Sequence, residues 1–109
     1  MLIYNITFHI EDSIHDEAIA FLKYEYIPLA VKSGILFNPR MCKVHSSHIE
    51  SGKNYSIQFY VKNRQLLEDW KSSAGEELNQ TIRRKFQDKA LGFSTLLEEL
   101  DLDRTNLSE

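Results

Sequence analysis

Residues Leu2-Ile3-Tyr4-Asn5-Ile6-Thr7-Phe8-His9-Ile10 alternate with a period of two: Leu2, Tyr4, Ile6, Phe8 and Ile10 share one side, and Asn5, Thr7 and His9 oppose them. That period marks a strand with one buried face. The polar side carries an amide, a hydroxyl and an imidazole instead of the lysines and glutamates usual on a solvated face, so it suits a sheltered surface. A second stretch repeats the pattern, with Tyr55, Ile57, Phe59 and Val61 against Ser56, Gln58 and Tyr60. The two predict one sheet with an oily face and a semi-polar face.

The segments between and around these strands complete a βαββαβ order. Ser13 is a good N-cap, with Asp16 three residues on, so a helix is expected to start at Ile14 and to carry Ile14, Ala18, Phe21 and Leu22 on one stripe. Pro28 should kink it or restart it in a first turn, and Ser33-Gly34 should end it. Residues 35 to 45 read as a strand disturbed at Asn38-Pro39, which predicts a bulge or an edge position and leaves the direction of Arg40 open. Residues 46 to 54 read as a polar hairpin loop before a strand over 55 to 62. Asn63 should cap a helix whose Leu66, Trp70, Ala74, Leu78, Ile82 and Phe86 recur every fourth residue, with an interruption at Ser72-Ser73-Ala74-Gly75. Residues 90 to 97 supply a last short strand, rich in small residues. The expected fold is therefore α+β and ferredoxin-like, a four-stranded antiparallel sheet with helices on one face. Residues 1–98 would form the single domain, and 99–109 a polar acidic tail that frays beyond Leu100.

Composition narrows the chemistry mainly by exclusion. The 109 residues suffice for one domain with its own core, and 42% hydrophobic with 27% charged residues is ordinary for a folded protein. A net charge of −3 offers no attraction to phosphate backbones or anionic lipid, which argues against nucleic acid and membrane surfaces. The single cysteine, Cys42, allows no internal disulfide, and the start of the chain reads as strand rather than signal peptide, so a cytoplasmic location is expected. No run approaches the length of a membrane span. The glycines at 34, 52, 75 and 92 are scattered and form no phosphate-binding loop.

Two helices cover only one face of such a sheet. The other would present Asn5, Thr7, His9, Ser56, Gln58 and Tyr60 with Ile3, too polar for a core and too uncharged for bulk water. A second copy placed sheet to sheet would cover it and could enclose a pocket, so a homodimer through the open sheet face is expected.

Four stretches resemble an uncharacterised family of short bacterial proteins, domain of unknown function 4286, over almost the whole chain: Leu2-Ile3-Tyr4-Asn5, Tyr26-Ile27-Pro28, Tyr55-Ser56-Ile57-Gln58 and Phe93-Ser94-Thr95-Leu96-Leu97-Glu98. The resemblance implies the dimeric α/β-barrel superfamily and no particular activity, since that fold hosts oxygenases, haem-degrading enzymes, isomerases and ligand sensors alike. No catalytic residue is carried over. Tyr26 stands where the family usually has a histidine before Ile27-Pro28, which removes any proton-transfer role supposed there. The haem-degrading branch is similar in having an asparagine like Asn5 and a tryptophan like Trp70, but its axial histidine would fall where this chain reads Asn79-Gln80-Thr81-Ile82. Without that ligand haem chemistry is rejected.

Cys42, His45 and His48 form C-x2-H-x2-H, yet on a strand Cys42 and His45 point to opposite faces and no fourth ligand lies nearby. They read as a buried cysteine and two loop histidines, so neither metal nor cofactor is expected. Arg40 could anchor a carboxylate but is assigned to solvent, Trp70 to the core, and Arg83-Arg84-Lys85 to a helix end whose dipole favours cations. His9 is the one candidate general base, with Glu11 or Tyr60 as the partner that would fix its tautomer. Asn5, Thr7, Ser56, Gln58 and Tyr60 are the candidate ligand-binding residues. The expected function is a non-catalytic module binding a small organic molecule or a protein. The alternative is a cofactor-independent monooxygenase or isomerase acting on a small aromatic or dicarbonyl compound, with His9 as base and Asn5 orienting an oxyanion.

Overall fold

The computed structural model describes residues 1–46 and 51–102. Strand β1 (Leu2–Ile10) lies at the centre, paired antiparallel with β3 (Lys53–Val61) on one side and β4 (Ala90–Glu98) on the other, and β2 (Phe37–Val44) flanks β3. The order is β2-β3-β1-β4. Every residue of β1 has a partner on both neighbours, which is why the most regular alternation in the sequence sits on the central strand.

The first helical layer begins later than its capping signal implied. Asp12–Ile14 form a 3-10 turn, α1 (His15–Phe21) starts at His15, and Ser13 sits within the turn and caps nothing. Asp12 explains the difference: its carboxylate accepts from the Gly52 amide at 3.3 Å and faces Lys53 Nζ at 3.6 Å, tying the turn to the start of β3. A π-helical turn (Leu22–Tyr26) then leads into α2 (Ile27–Ala30), with Pro28 in its first turn. The wider turn absorbs the missing proline N–H without breaking the helix.

The second helical segment, in the same layer over the same face of the sheet, follows the same plan. Asn63 caps α3 (Arg64–Trp70) by accepting from the Leu66 amide at 2.9 Å, a π turn (Lys71–Gly75) takes the place of the expected interruption, and α4 (Glu76–Phe86) continues the stripe. Between the layers lies a core of Tyr4, Ile6, Phe8, Ile10, Ile57, Phe59 and Val61 from the sheet against Phe21, Tyr26, Trp70, Leu78, Ile82 and Phe86 from the helices. Edge-to-face pairs Tyr4–Trp70, Phe8–Tyr26 and Phe21–Phe86, at 5.6–5.8 Å, lock the layers together. Trp70 is core, as expected, and its Nε1 donates to the Ala30 carbonyl at 3.0 Å.

Strand β2 carries the expected irregularity at the expected place. Its register against β3 slips between Phe37 and Arg40, and Asn38 takes φ 53° there. Pro39 is tolerated because β2 is an edge strand. Among the described residues no helix is long and apolar enough to cross a membrane. The readings of residues 47–50 and of the tail from 103 lie outside the described residues.

Candidate functional site

The open face of the sheet is a grid fixed by strand register. Arg40, Gln58, Asn5 and Thr95 form one cross-strand row, Cys42, Ser56, Thr7 and Phe93 the next, and Val44, Asn54, His9 and Leu91 the third. Phe37, Tyr60, Ile3 and Leu97 close the grid at the far end. All six sequence-selected residues therefore stand on one surface, half-buried before any second copy is present.

Asn5 is the hub. Its Oδ1 accepts from Ser56 Oγ at 2.5 Å and from Gln58 Nε2 at 3.3 Å, while its Nδ2 donates to Thr7 Oγ1 at 3.2 Å. Gln58 Oε1 in turn accepts from Arg40 Nη2 at 3.3 Å. Arg40 thus joins the group that sequence reading had separated from it, because the bulge restores its side chain to the face of Gln58 while leaving it exposed. A hollow of about 350 Å3 beside the bulge is lined by Asn38, Pro39, Arg40 and Tyr60. Both acceptor positions of the Asn5 oxygen are occupied, yet among the described residues one N–H on Asn5, one on Gln58 and most of the guanidinium have no partner. The surface is donor-rich and matches carbonyl or carboxylate oxygens.

His9 stands apart from this hub. Its Nδ1 meets Asn54 Oδ1 at 2.8 Å, and neither Glu11 nor Tyr60, the partners expected from the sequence, holds it. An amide oxygen at Nδ1 puts the ring proton there and leaves Nε2 as the basic nitrogen. The Gly52 backbone covers the ring edge, so close that a Cβ on Gly52 would lie 2.8 Å from Nε2.

Cys42 faces the open side opposite Ser56 and is exposed, which corrects its expected burial: an edge strand with no helix over that face has nothing to bury it. Among the described residues no three His, Cys, Asp or Glu side chains gather as a metal site, and His48 lies outside them.

Two features escaped the sequence reading. Leu91, Phe93 and Leu97 project from β4 onto the open face and are 45%, 65% and 42% exposed, giving the polar centre an apolar flank. The alternation of small Ala90, Gly92 and Ser94 with large Leu91 and Phe93 was the available signal. The other feature is a chain on the helix side, where the Tyr55 hydroxyl meets His15 Nε2 at 2.6 Å and His15 Nδ1 meets Asp16 Oδ1 at 2.8 Å. It ties the start of α1 to β3.

A central antiparallel sheet in this order, with helices on one face and a semi-polar open face, defines a ferredoxin-like α+β domain. Within that class the chain belongs to the family described as a domain of unknown function (DUF4286), whose model matches residues 1–100. Among solved structures, an ethyl tert-butyl ether degradation (EthD) family protein from Bacillus halodurans C-125 superposes with TM-score 0.71 at 15% identity, over 92% of this chain and all (100%) of that one. A protein described as dimeric and ferredoxin-like, from an uncultured marine organism, superposes with TM-score 0.63 at 9% identity, over 94% and 98% of the two chains. At such identities the likeness shows the fold alone. No curated protein matches the sequence.

Proposed function

We propose that this chain is a homodimeric binding module in which two open sheet faces meet around a small organic molecule, held by Asn5, Thr7, Ser56, Gln58 and Tyr60 without a cofactor. One observation carries the reading: a hydrogen-bonded, donor-rich centre flanked by exposed Leu91, Phe93 and Leu97 on a face that no helix among the described residues covers. Large apolar side chains contiguous on a sheet are the mark of an interface. A two-fold pairing would cover them while leaving the polar centres opposed across a shared space. The dimeric description of a protein with the same fold supports the pairing. Arg40 beside its hollow favours a ligand bearing a carbonyl or carboxylate.

The test is hydrodynamic. Sedimentation velocity at tens of micromolar should give a dimer, and Phe93→Asp should give a folded monomer; a wild-type protomer that sediments alone would overturn the reading.

A second reading, a cofactor-independent monooxygenase or isomerase for a small aromatic or dicarbonyl compound, is favoured by the His9–Asn54 pair, which leaves Nε2 basic. Asn5 would then orient the oxyanion. In that case His9→Gln abolishes turnover without dissolving the dimer, whereas a binding module keeps its ligand affinity in the same variant.

A further inference from the structure

The opposite face of β4 carries a second cavity, unrelated to the open-face reading. A cleft of about 270 Å3 runs between β4 and α4, and it exists because the residues β4 turns towards the helices are Ala90, Gly92 and Ser94. Small side chains on an edge strand leave space that the helix above cannot fill. The ring of Phe8 forms the wall under Gly92, where a Cβ would come within 2.8 Å of Phe8 Cε1.

One side of this cleft is polar by helical spacing. Asn79, Arg83 and Gln87 lie four residues apart and all line it, with Ile6 and Phe8 of β1 beneath and Ile82 of the same helix between them. Among the described residues Arg83, which is exposed, has no hydrogen-bond or ion-pair partner and no carboxylate lines the cleft. The last turn of α4 also carries Arg84 and Lys85, and Asp88 follows it.

Gln87 is held at φ 56° and ψ −131°, outside the left-handed helical cap and in a region that glycine alone enters freely. Such backbone persists only where the surrounding structure over-determines it. Gln87 is among the residues that line the cleft.

We propose that the β4–α4 cleft is a ligand site for a small organic carboxylate: Arg83 holds the anionic end, Asn79 and Gln87 flank it, and the body of the ligand lies over Gly92 and Ser94. The volume stands near the lower end for small-molecule sites, which limits the ligand to about the size of a single ring with its acid group.

Benzoate and phenylacetate, with benzamide as the neutral counterpart, test this by amide chemical-shift titration of the full chain. Saturable shifts are expected at Asn79, Gln87, Gly92 and Ser94 with the acids, and weaker ones with benzamide. Arg83→Gln, at an exposed and unpaired position, should keep the native spectrum and weaken acid binding about tenfold or more. Ser94→Leu, which fills the cleft from an exposed position, should abolish it. Absence of saturable shifts, equal binding of benzamide, retained affinity in Arg83→Gln, or shifts confined to Asn5 and Gln58 on the open face would each overturn the proposal.

Discussion

Gly75 lies against the indole of Trp70 so closely that a Cβ at position 75 would sit 2.7 Å from Cζ3. The indole cannot retreat, because it is 2% exposed and its Nε1 is tied to the Ala30 carbonyl. This one approach explains why a poor helix former stands within the long helical run and why the run widens into a π turn there. The glycine sits in helical backbone, φ −62°, so only space demands it.

Gly75→Ala should therefore destabilise the fold, the overpacking cost of about 1–3 kcal/mol outweighing the ~1 kcal/mol gained in helix propensity. Urea unfolding measures the difference. A stabilised variant would show that the indole is free to move.

Trp70→Phe should cost about 2–3 kcal/mol, since it removes buried volume and leaves the Ala30 carbonyl without its donor. The same titration reads it, and a loss under about 1 kcal/mol would mean that the carbonyl finds another partner.

Burial pushes the Tyr26 phenol up, the neighbouring Tyr4 adding to it, and burial likewise raises Tyr4, with Ser94 opposing and Glu68 assisting. The unfolded chain titrates these groups near the usual value of about 10. Between that value and the raised one the folded protein keeps protons that the unfolded chain has lost, so this stability is complete below about pH 10 and falls above it. Tyr26 alone contributes a slope of about 1.4 kcal/mol per pH unit in that window. Denaturant midpoints measured from pH 8 to pH 11 should show the decline, and Tyr26→Phe should flatten it.

Tyr55→Phe removes the hydroxyl that meets His15 Nε2 at 2.6 Å and should lower stability by about 1 kcal/mol while loosening the start of α1. Hydrogen exchange at the amides of Ala18 and Ile19 reports the loosening. Unchanged exchange would show that Asp12, through Gly52 and Lys53, anchors that end alone.

How much was legible follows from the range of each interaction. The faces of β1 and β3, the Asn63 cap, the bulge at Asn38-Pro39 and the core stripe through Trp70 and Phe86 are local patterns, readable from spacing of one to four residues. The start of α1 was misplaced because a carboxylate on Asp12 found partners forty residues away, a competition that no local cap signal records. Cys42 was misassigned to the interior for a related reason, since on an edge strand exposure is decided by what does not cover it, whereas Arg40 is exposed as expected.

The alternation in Leu2 to Ile10 and in Tyr55 to Val61 by itself determined the layered α+β architecture and the existence of a semi-polar open face, since a period of two has only one physical reading once half the side chains are oily. Only the tertiary structure decided that Asn5 is the hub of that face, that Arg40 rejoins it across the bulge, and that Arg83 and Gln87 border a cleft on the far side of β4. These are matters of cross-strand register and of helix placement over small residues. They depend on distances between segments remote in the chain, which no periodicity encodes.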